Sequence, residues 1–197
     1  MITAVLTAAG LSSRMGRPKP LLQWRGTTLV EHQISILFEG GASEVIVVLG
    51  HRSEDVVPYI EGTGASYVVN HRYREGRTSS TKAGLEAVPE QANDVIVMGV
   101  DQPRTVQIIR RVVEVHTGAS ALLTSPRLEG RGGHPLMFSA RLLPELKLIS
   151  EENQGLREVF ERHRAEITEV HFDDPMVRLD LNTPEAYESA YQTYGQA

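Results

Sequence analysis

Short apolar runs alternate with helix-like segments along this chain of 197 residues. Residues 2–6, 44–49, 66–69 and 94–100 have the β-branched and apolar composition of buried strands. Strands that alternate with helices form a mostly parallel sheet, with right-handed crossovers and helices on both faces. The sequence therefore predicts a Rossmann-like α/β fold, in which ligands bind beyond the carboxyl ends of the strands.

Several helix boundaries are marked by characteristic residues. Thr28 and Glu31 have the spacing of a capping box, which predicts that Thr28 is the N-cap of a helix. Gly118 is expected to end a later helix, and residues 119–123 are expected to form the strand that follows it. Thr183 precedes a proline and is expected to cap the last helix.

The composition limits the partners that the chain is expected to bind. Its net charge of −5 argues against nucleic acid and against membrane surfaces, because binding to either favours a basic excess. The absence of cysteine excludes disulfides and thiolate metal sites. No apolar run approaches the length of a membrane span, and no secretory signal is visible. We therefore expect one cytoplasmic domain over residues 1–197.

The loop after the first strand has the composition of an anion-binding site. Its small and basic residues are Ala8, Ala9, Gly10, Arg14, Arg17 and Lys19. The small residues allow backbone N–H groups to approach a ligand closely, and a concave row of such groups binds anions. The cations that follow suit a triphosphate. The loop therefore predicts a nucleotide site, although Arg17 is equally compatible with simple solvent exposure.

Spacing excludes two common phosphate loops. The loop of many ATPases needs four residues between its glycines and then Lys-Ser/Thr, whereas five residues separate Gly10 from Gly16 here. The dinucleotide fingerprint G-x-G-x-x-G needs three glycines, and this loop has two.

Residues 8–22 instead follow the pattern A-A-G-x-S-x-R-M-G-x-x-K-x-L-L. This pattern resembles the opening signature of nucleotidyltransferases of the molybdenum-cofactor type, the MobA/MocA-like family. The resemblance implies a nucleotide-diphospho-sugar transferase-like fold, with Arg14 and Lys19 as catalytic residues that neutralise the triphosphate and the leaving pyrophosphate. The alternative is that both are solvated surface charges, which is the usual environment of Lys and Arg.

Asp101 follows the predicted strand 94–100, within the segment Gly-Val-Asp-Gln-Pro. A carboxylate at the end of a parallel strand is well placed to hold Mg²⁺ beside phosphate oxygens. An aspartate there also suits the N-cap of the next helix. The segment is similar to the family's metal-binding aspartate segment, and this resemblance favours the catalytic metal ligand.

Asp180 and Asn182 flank Leu181 and point to one side of an extended segment. The stretch D-L-N-T-P-E is similar to the family's D-I-D-T-P-E-D ending, which implies Asn182 as the second Mg²⁺ ligand. Asparagine is neutral and should bind Mg²⁺ less tightly than aspartate. Two alternatives remain: Asp180 is the ligand, or Asn182 and Thr183 only cap the final helix.

Two further segments match the family in the expected order. Residues 76–80 resemble its Glu-Gly-x-x-x-Ser segment, which implies that Ser79 and Ser80 contact the base and ribose, although such residues also suit a helix start. The acceptor-binding residues are implied by a match to the family's Gly-His-Pro loop: Gly133, His134 and Pro135. A structural role for this histidine is the alternative.

The resemblance implies a nucleotide-binding half over about residues 1–125 and an acceptor-binding part over about residues 126–197. It implies transfer of CMP from CTP to a molybdopterin-type acceptor with Mg²⁺, since Ala8-Ala9-Gly10 is similar to cytidylyl-type members. A molybdoenzyme or its chaperone is a further candidate partner. Two other functions stay open: transfer to a sugar phosphate or alcohol phosphate, and non-catalytic binding of a nucleotide for cofactor delivery.

Overall fold

The computed structural model describes residues 1–13 and 15–196. The strands are β1 (Ile2–Thr7), β2 (Gln23–Trp24), β3 (Thr27–Thr28), β4 (Glu44–Leu49), β5 (Ser66–Val69), β6 (Asp94–Gly99), β7 (Leu123–Leu128), β8 (Arg131–Gly132), β9 (Leu136–Ser139) and β10 (Ile167–His171). The main sheet has the order β10-β7-β9-β6-β1-β4-β5, and β8 pairs with β7. Strands β2 and β3 form a separate antiparallel hairpin.

Helices lie between most of the strands. They are α1 (Leu29–Glu39), α2 (Ser53–Val56), α3 (Arg77–Glu86), α4 (Val106–Ala119), α5 (Leu143–Leu146), α6 (Leu156–Arg162) and α7 (Pro184–Ala190). Within the described residues, no helix is both long and apolar enough to cross a membrane.

The sheet is mostly parallel, as the alternation of elements predicted. Strands β6, β1, β4 and β5 run parallel to one another, and β10 runs parallel to β7. Strand β9 is antiparallel to both of its neighbours, β6 and β7. Because each buried strand is apolar on both faces, it packs against helices on both sides. On β1, Leu6 belongs to the core that contains α1 and α4, whereas Val5 belongs to the core that contains α3.

The predicted helix caps are confirmed. Glu31 donates its backbone N–H to the Thr28 hydroxyl, and its carboxylate accepts from the Thr28 backbone N–H at 2.9 Å. Thr183 caps α7 by accepting from the backbone N–H of Ala186 at 3.2 Å. The starts of α1 and α7 are therefore determined by local signals that can be recognised in the sequence alone.

Two of the sequence-based boundaries were wrong. Helix α4 continues through Gly118 to Ala119, because Ser120 and not Gly118 adopts the left-handed conformation that ends a helix. The predicted strand 119–123 is also incorrect, since the next strand, β7, begins only at Leu123. The helix thus ends two residues later than its glycine suggested.

Candidate active site

The loop after β1 lies against the carboxyl end of β4. The backbone N–H of Ala8 donates to the carbonyl of Val48 at 2.8 Å, so this N–H extends the sheet. Ala9 is buried and packs against Gly50, whereas Gly10 is exposed and, among the residues that the structure describes, only its chain neighbours lie within 4 Å of the place where a Cβ would be. The open space at Gly10 is what a ligand needs for a close approach to the backbone.

Lys19 joins the three parts of the predicted site. Its Nζ lies 2.7 Å from Oδ2 of Asp101 and 3.0 Å from Oδ1 of Asn182. These partners are 82 and 163 residues away in the sequence. The backbone of Lys19 is itself held, since its N–H donates to the Ser12 hydroxyl at 3.1 Å. The fold therefore brings the predicted cation and both predicted metal ligands to one point.

Among the described residues, the helices that follow Asp101 and Asn182 are capped by other side chains. The N-cap of α4 is Thr105, whose hydroxyl accepts from the backbone N–H of Ile108. The N-cap of α7 is Thr183. Thr183 therefore caps the last helix as expected, whereas the side chains of Asp101 and Asn182 face the Lys19 ammonium.

The oxygen atoms of Asp101 and Asn182 fit a divalent cation. Both lie within 3.0 Å of one positive centre, the Lys19 ammonium, so they converge on a single cation position. Mg²⁺ prefers oxygen ligands and is commonly held by one or two carboxylates together with substrate phosphates. Over the described ranges, no group of three or more His, Asp and Glu side chains forms a denser cation site. Oδ1 of Asp180 accepts a hydrogen bond from Gln102 at 3.1 Å.

Gln102 is a site residue that the sequence reasoning missed. Its Oε1 accepts from the backbone N–H of Gly99 at 2.8 Å. Its Nε2 contacts Nδ1 of His134 at 3.0 Å and Oδ1 of Asp180 at 3.1 Å. The side chain of Gln102 thus links the end of β6 to the loop of His134 and to the segment of Asp180. Its position next to Asp101 in the family-like segment was the only available signal.

Arg104 is a second residue that the sequence reasoning missed. Its side chain is fully buried, and it donates to the carbonyls of Pro103, His134 and Leu179 at 2.7–2.8 Å. Burial lowers the pKa of the guanidinium to about 10, and the nearby carboxylates of Asp180 and Asp101 oppose this shift. Arg104 therefore stays charged at pH 7 and ties the loop of His134 to the segment before Asp180.

The predicted acceptor loop lies beside this network. Gly133 packs so closely that an added Cβ would lie 2.3 Å from the carbonyl oxygen of Val177. Burial lowers the pKa of the His134 imidazole to about 4, and the charge of Arg104 acts in the same direction. The ring is therefore neutral at pH 7. Pro135 is buried next to it.

The predicted base-and-ribose residues form a separate group, at the start of α3. Asn70 donates from Nδ2 to the hydroxyls of Ser79 and Ser80, at 2.9 and 3.0 Å. Ser79 lines a pocket of about 500 Å³, whereas the side chain of Ser80 is buried. The carboxylate of Glu151 closes this end of the helix by accepting from the backbone N–H of Thr78 at 3.0 Å.

The first loop also contains the predicted basic residues Arg14 and Arg17. The guanidinium carbon of Arg17 lies 5.4 Å from the ring centre of Tyr187 on α7, although Arg17 is exposed. Arg14, a predicted catalytic and nucleotide-binding residue, lies outside the described residues.

Most of the chain matches a known protein family. Residues 4–167 match the model of the MobA-like NTP transferase domain. The chain belongs to this family. Its fold is that of the nucleotide-diphospho-sugar transferases, as the resemblance implied. The chain is therefore a nucleotidyltransferase of the MobA-like family.

Curated relatives and a solved structure match over nearly the whole length. The chain is 35% identical to nicotine blue oxidoreductase from Paenarthrobacter nicotinovorans, over 93% of each sequence. It is 28% identical to molybdenum cofactor cytidylyltransferase from Escherichia coli K12, over 98% of this chain and 97% of that protein. A Mycobacterium tuberculosis H37Rv protein, solved as a complex with manganese, is 27% identical with a TM-score of 0.81 and 98% coverage of both chains. The last match supports a divalent metal in this family.

Proposed function

We propose that this protein transfers CMP from CTP to the phosphate of a molybdopterin-type acceptor and releases pyrophosphate, with Mg²⁺ as cofactor. The observation that carries the proposal is the cluster of Lys19, Asp101 and Asn182 at the carboxyl ends of β1 and β6. A cation, a carboxylate and an amide oxygen at one point, beside a loop with open space at Gly10, suit a nucleoside triphosphate with its metal.

The chain's own residues supply binding and charge neutralisation. Lys19 can exchange its bonds to Asp101 and Asn182 for phosphate oxygens, and so stabilise the negative charge that develops on the transferred group. Asp101 and Asn182 would hold Mg²⁺, which when bound neutralises phosphate oxygens and favours attack at phosphorus. Arg14 assists the leaving pyrophosphate in this proposal.

No strong general base is needed for this reaction. A phosphomonoester has a second pKa of about 6, so the acceptor is largely ionised at neutral pH. His134 is poorly suited as a base, because its lowered pKa of about 4 makes the ring a weak proton acceptor. Catalysis would rest on positioning and electrostatics, as in phosphoryl transfer in general. His134 and its neighbours Gly133 and Pro135 are then assigned to acceptor binding.

The choice of nucleotide rests on two segments. Ala8 and Ala9 provide the Ala-Ala-Gly start that is similar to the cytidylyl-type members, and Ser79 and Ser80 are assigned to the base and ribose. Since the hydroxyl of Ser80 is buried, Ser79 is the better placed of the two to meet the nucleotide directly.

Thermal unfolding with ATP, CTP, GTP and UTP, each with and without Mg²⁺, tests the donor first. A ligand at about 100 times its Kd adds about 2.7 kcal/mol to the stability of the folded state. We expect a Mg²⁺-dependent rise in the midpoint with CTP, and a loss of the Mg²⁺ dependence in Asp101→Asn. The matched control is Glu114→Gln, which removes one exposed carboxylate from α4. A shift with GTP alone would reject the cytidylyl assignment, and no shift with any nucleotide would contradict the site.

Pyrophosphate release then tests the reaction. With CTP, Mg²⁺ and molybdenum cofactor as acceptor, the protein should release pyrophosphate in step with formation of a cytosine dinucleotide. Release with a sugar phosphate or alcohol phosphate instead would assign a different acceptor. Nucleotide binding without any release would favour cofactor delivery. The 35% identity to an oxidoreductase gives a further reason to measure the transfer directly.

A further inference from the structure

The orientation of the Gln102 amide is determined by its backbone partner. The backbone N–H of Gly99 can only donate, so the atom that it meets at 2.8 Å must be the amide oxygen of Gln102. The amide nitrogen is then the atom that faces His134 and Asp180. A flipped amide would place two donors against each other at Gly99.

This orientation determines which ring nitrogen of His134 carries the proton. The amide nitrogen of Gln102 has two hydrogens and no acceptor capacity. Its contact with Nδ1 of His134 at 3.0 Å is therefore a hydrogen bond only if Nδ1 has no hydrogen. In the neutral ring the hydrogen must then lie on Nε2. The second hydrogen of the amide is donated to Oδ1 of Asp180, so both N–H groups of the amide have an acceptor.

Both ends of this contact are held by neighbouring groups. The backbone carbonyl of Gln102 accepts from the fully buried side chain of Gln33 at 2.8 Å. The backbone of His134 donates to the carbonyl of Val177 at 3.1 Å and accepts from Nε of Arg104 at 2.8 Å. Since both backbones are fixed, the two side chains meet without a large loss of conformational freedom.

We propose that Gln102 is a positioning residue, which keeps the proton of His134 on Nε2 so that this histidine donates a hydrogen bond to the acceptor substrate. The second half of this statement rests on the proposed function, because it requires the acceptor to bind beside His134. The substrate group at this point must accept a hydrogen bond, so a phosphate or carbonyl oxygen fits and an N–H group does not. An acceptor that presents an N–H here would leave two donors unpaired.

Nitrogen-15 NMR of the histidine rings tests the first half in the protein without substrate. We expect His134 to show an unprotonated Nδ1 and a protonated Nε2 at pH 7, with the resonance assigned by its loss in His134→Gln. In Gln102→Glu, one carboxylate oxygen can still accept from Gly99, but the other cannot donate to Nδ1. The proton of His134 should therefore move to Nδ1. The matched control, Gln107→Glu, makes the same change at an exposed position of α4 and should leave the ring unchanged.

A second variant and an internal reference protect this test against simple misfolding. Gln102→Met keeps the length of the side chain without any donor, so the two tautomers of His134 should become mixed. His116, which contacts Thr124 and Asp94 elsewhere in the fold, should keep its signals in every folded variant. A wild-type ring with its proton on Nδ1, or a ring that does not respond to Gln102→Glu in a folded protein, would overturn the proposal.

Kinetics tests the second half. With CTP and molybdenum cofactor, Gln102→Glu should raise KM for the acceptor by about tenfold, the size expected for one lost hydrogen bond, and should change KM for CTP much less. Equal effects on both KM values would overturn the donor role of His134, even if the NMR result stands. Failure of the wild-type protein to bind or turn over CTP would instead contradict the proposed function, with the NMR result unaffected.

Discussion

The residues assigned to the candidate site belong to two polar networks, which are assembled in different ways. The Gln102 network consists of Lys19, Asp101, Gln102, Arg104, His134, Asp180 and Asn182. The contact between Gln102 and Asp180 spans 78 residues of sequence, and the contact between Lys19 and Asn182 spans 163 residues. The Asn70 network consists of Asn70, Ser79, Ser80, Thr78 and Glu151. Its central contacts span only 9 and 10 residues.

This difference separates what the whole fold determines from what one segment determines. The Gln102 network forms only when the ends of β1 and β6 and the segment before α7 are all in place. The contacts of Asn70 with the two serines can form as soon as the strand β5 and the helix α3 lie together, and Glu151 adds long-range hydrogen bonding to Thr78 across 73 residues. Substitutions in the first network should therefore disturb catalysis and global stability, and substitutions in the second should have smaller and more local effects.

The largest effect is expected for Asp101→Asn. The substitution keeps the size of the side chain, but removes the charge that Lys19 contacts at 2.7 Å and that would hold the metal. We expect the rate of pyrophosphate release to fall by at least about 100-fold, the loss typical of one electrostatic group in an active site. The measurement is a continuous assay of pyrophosphate with saturating CTP. Glu114→Gln on α4 should keep the wild-type rate, and wild-type turnover by Asp101→Asn would contradict the metal assignment.

Arg104→Met tests the structural side of the same network. The variant leaves the carbonyls of His134 and Leu179 without their donor inside the protein. An unpaired buried polar group costs about 1–3 kcal/mol, so the free energy of unfolding should fall by about 3 kcal/mol. Urea unfolding followed by circular dichroism measures this loss. The exposed Arg111→Met serves as control and should change stability by less than about 0.5 kcal/mol. Equal losses in both variants would mean that Arg104 does not join the two segments.

The sequence predicted the Lys19 cluster better than the rest of the Gln102 network. Strand alternation places the loop after β1 and the residue after β6 at one edge of the sheet, so the convergence of Lys19 and Asp101 follows from topology. The same reasoning failed for Arg104, because an arginine in a sequence is normally expected at the surface. Its partners lie 30 and 75 residues away, at backbone carbonyls that have no sequence signal.

Local signals were reliable only where one residue type has one common use. Thr28 and Thr183 were predicted as caps because a hydroxyl before a helix satisfies an unpaired N–H. Gly118 was misread, since a glycine is tolerated inside a helix and a serine at position 120 ends it. The direction of β9 could not be predicted, because a four-residue strand pairs equally well in either direction until its neighbours are known.

Asn70→Ala should have a smaller effect than Arg104→Met. Asn70 is buried, donates to the hydroxyls of Ser79 and Ser80, and accepts from the backbone N–H of Arg72 at 2.9 Å. Because the loss is confined to the start of α3, we expect the free energy of unfolding to fall by about 2 kcal/mol. Asn153→Ala, at an exposed position, is the control for urea unfolding. If Ser79 contacts the nucleotide, Asn70→Ala should also weaken CTP binding in calorimetry, whereas it should leave KM for the acceptor unchanged.

Glu151→Gln should have the smallest effect, and its pH dependence is the informative part. The hydrogen bonds from Thr78 lower the pKa of the Glu151 carboxyl below its ordinary value of 4.5. A lowered pKa means that the ionised carboxylate stabilises the fold at pH values above 4.5, and that this contribution is lost as pH falls through the folded-state pKa. Glutamine can still accept from Thr78 but carries no charge. Urea unfolding should therefore show a small deficit for Glu151→Gln at pH 7 that narrows toward pH 3. If this difference in the free energy of unfolding did not change with pH, the charge of Glu151 would contribute nothing to the start of α3. Its contact with Thr78 would then act only as an uncharged hydrogen bond, unlike the charged contact between Lys19 and Asp101 in the Gln102 network.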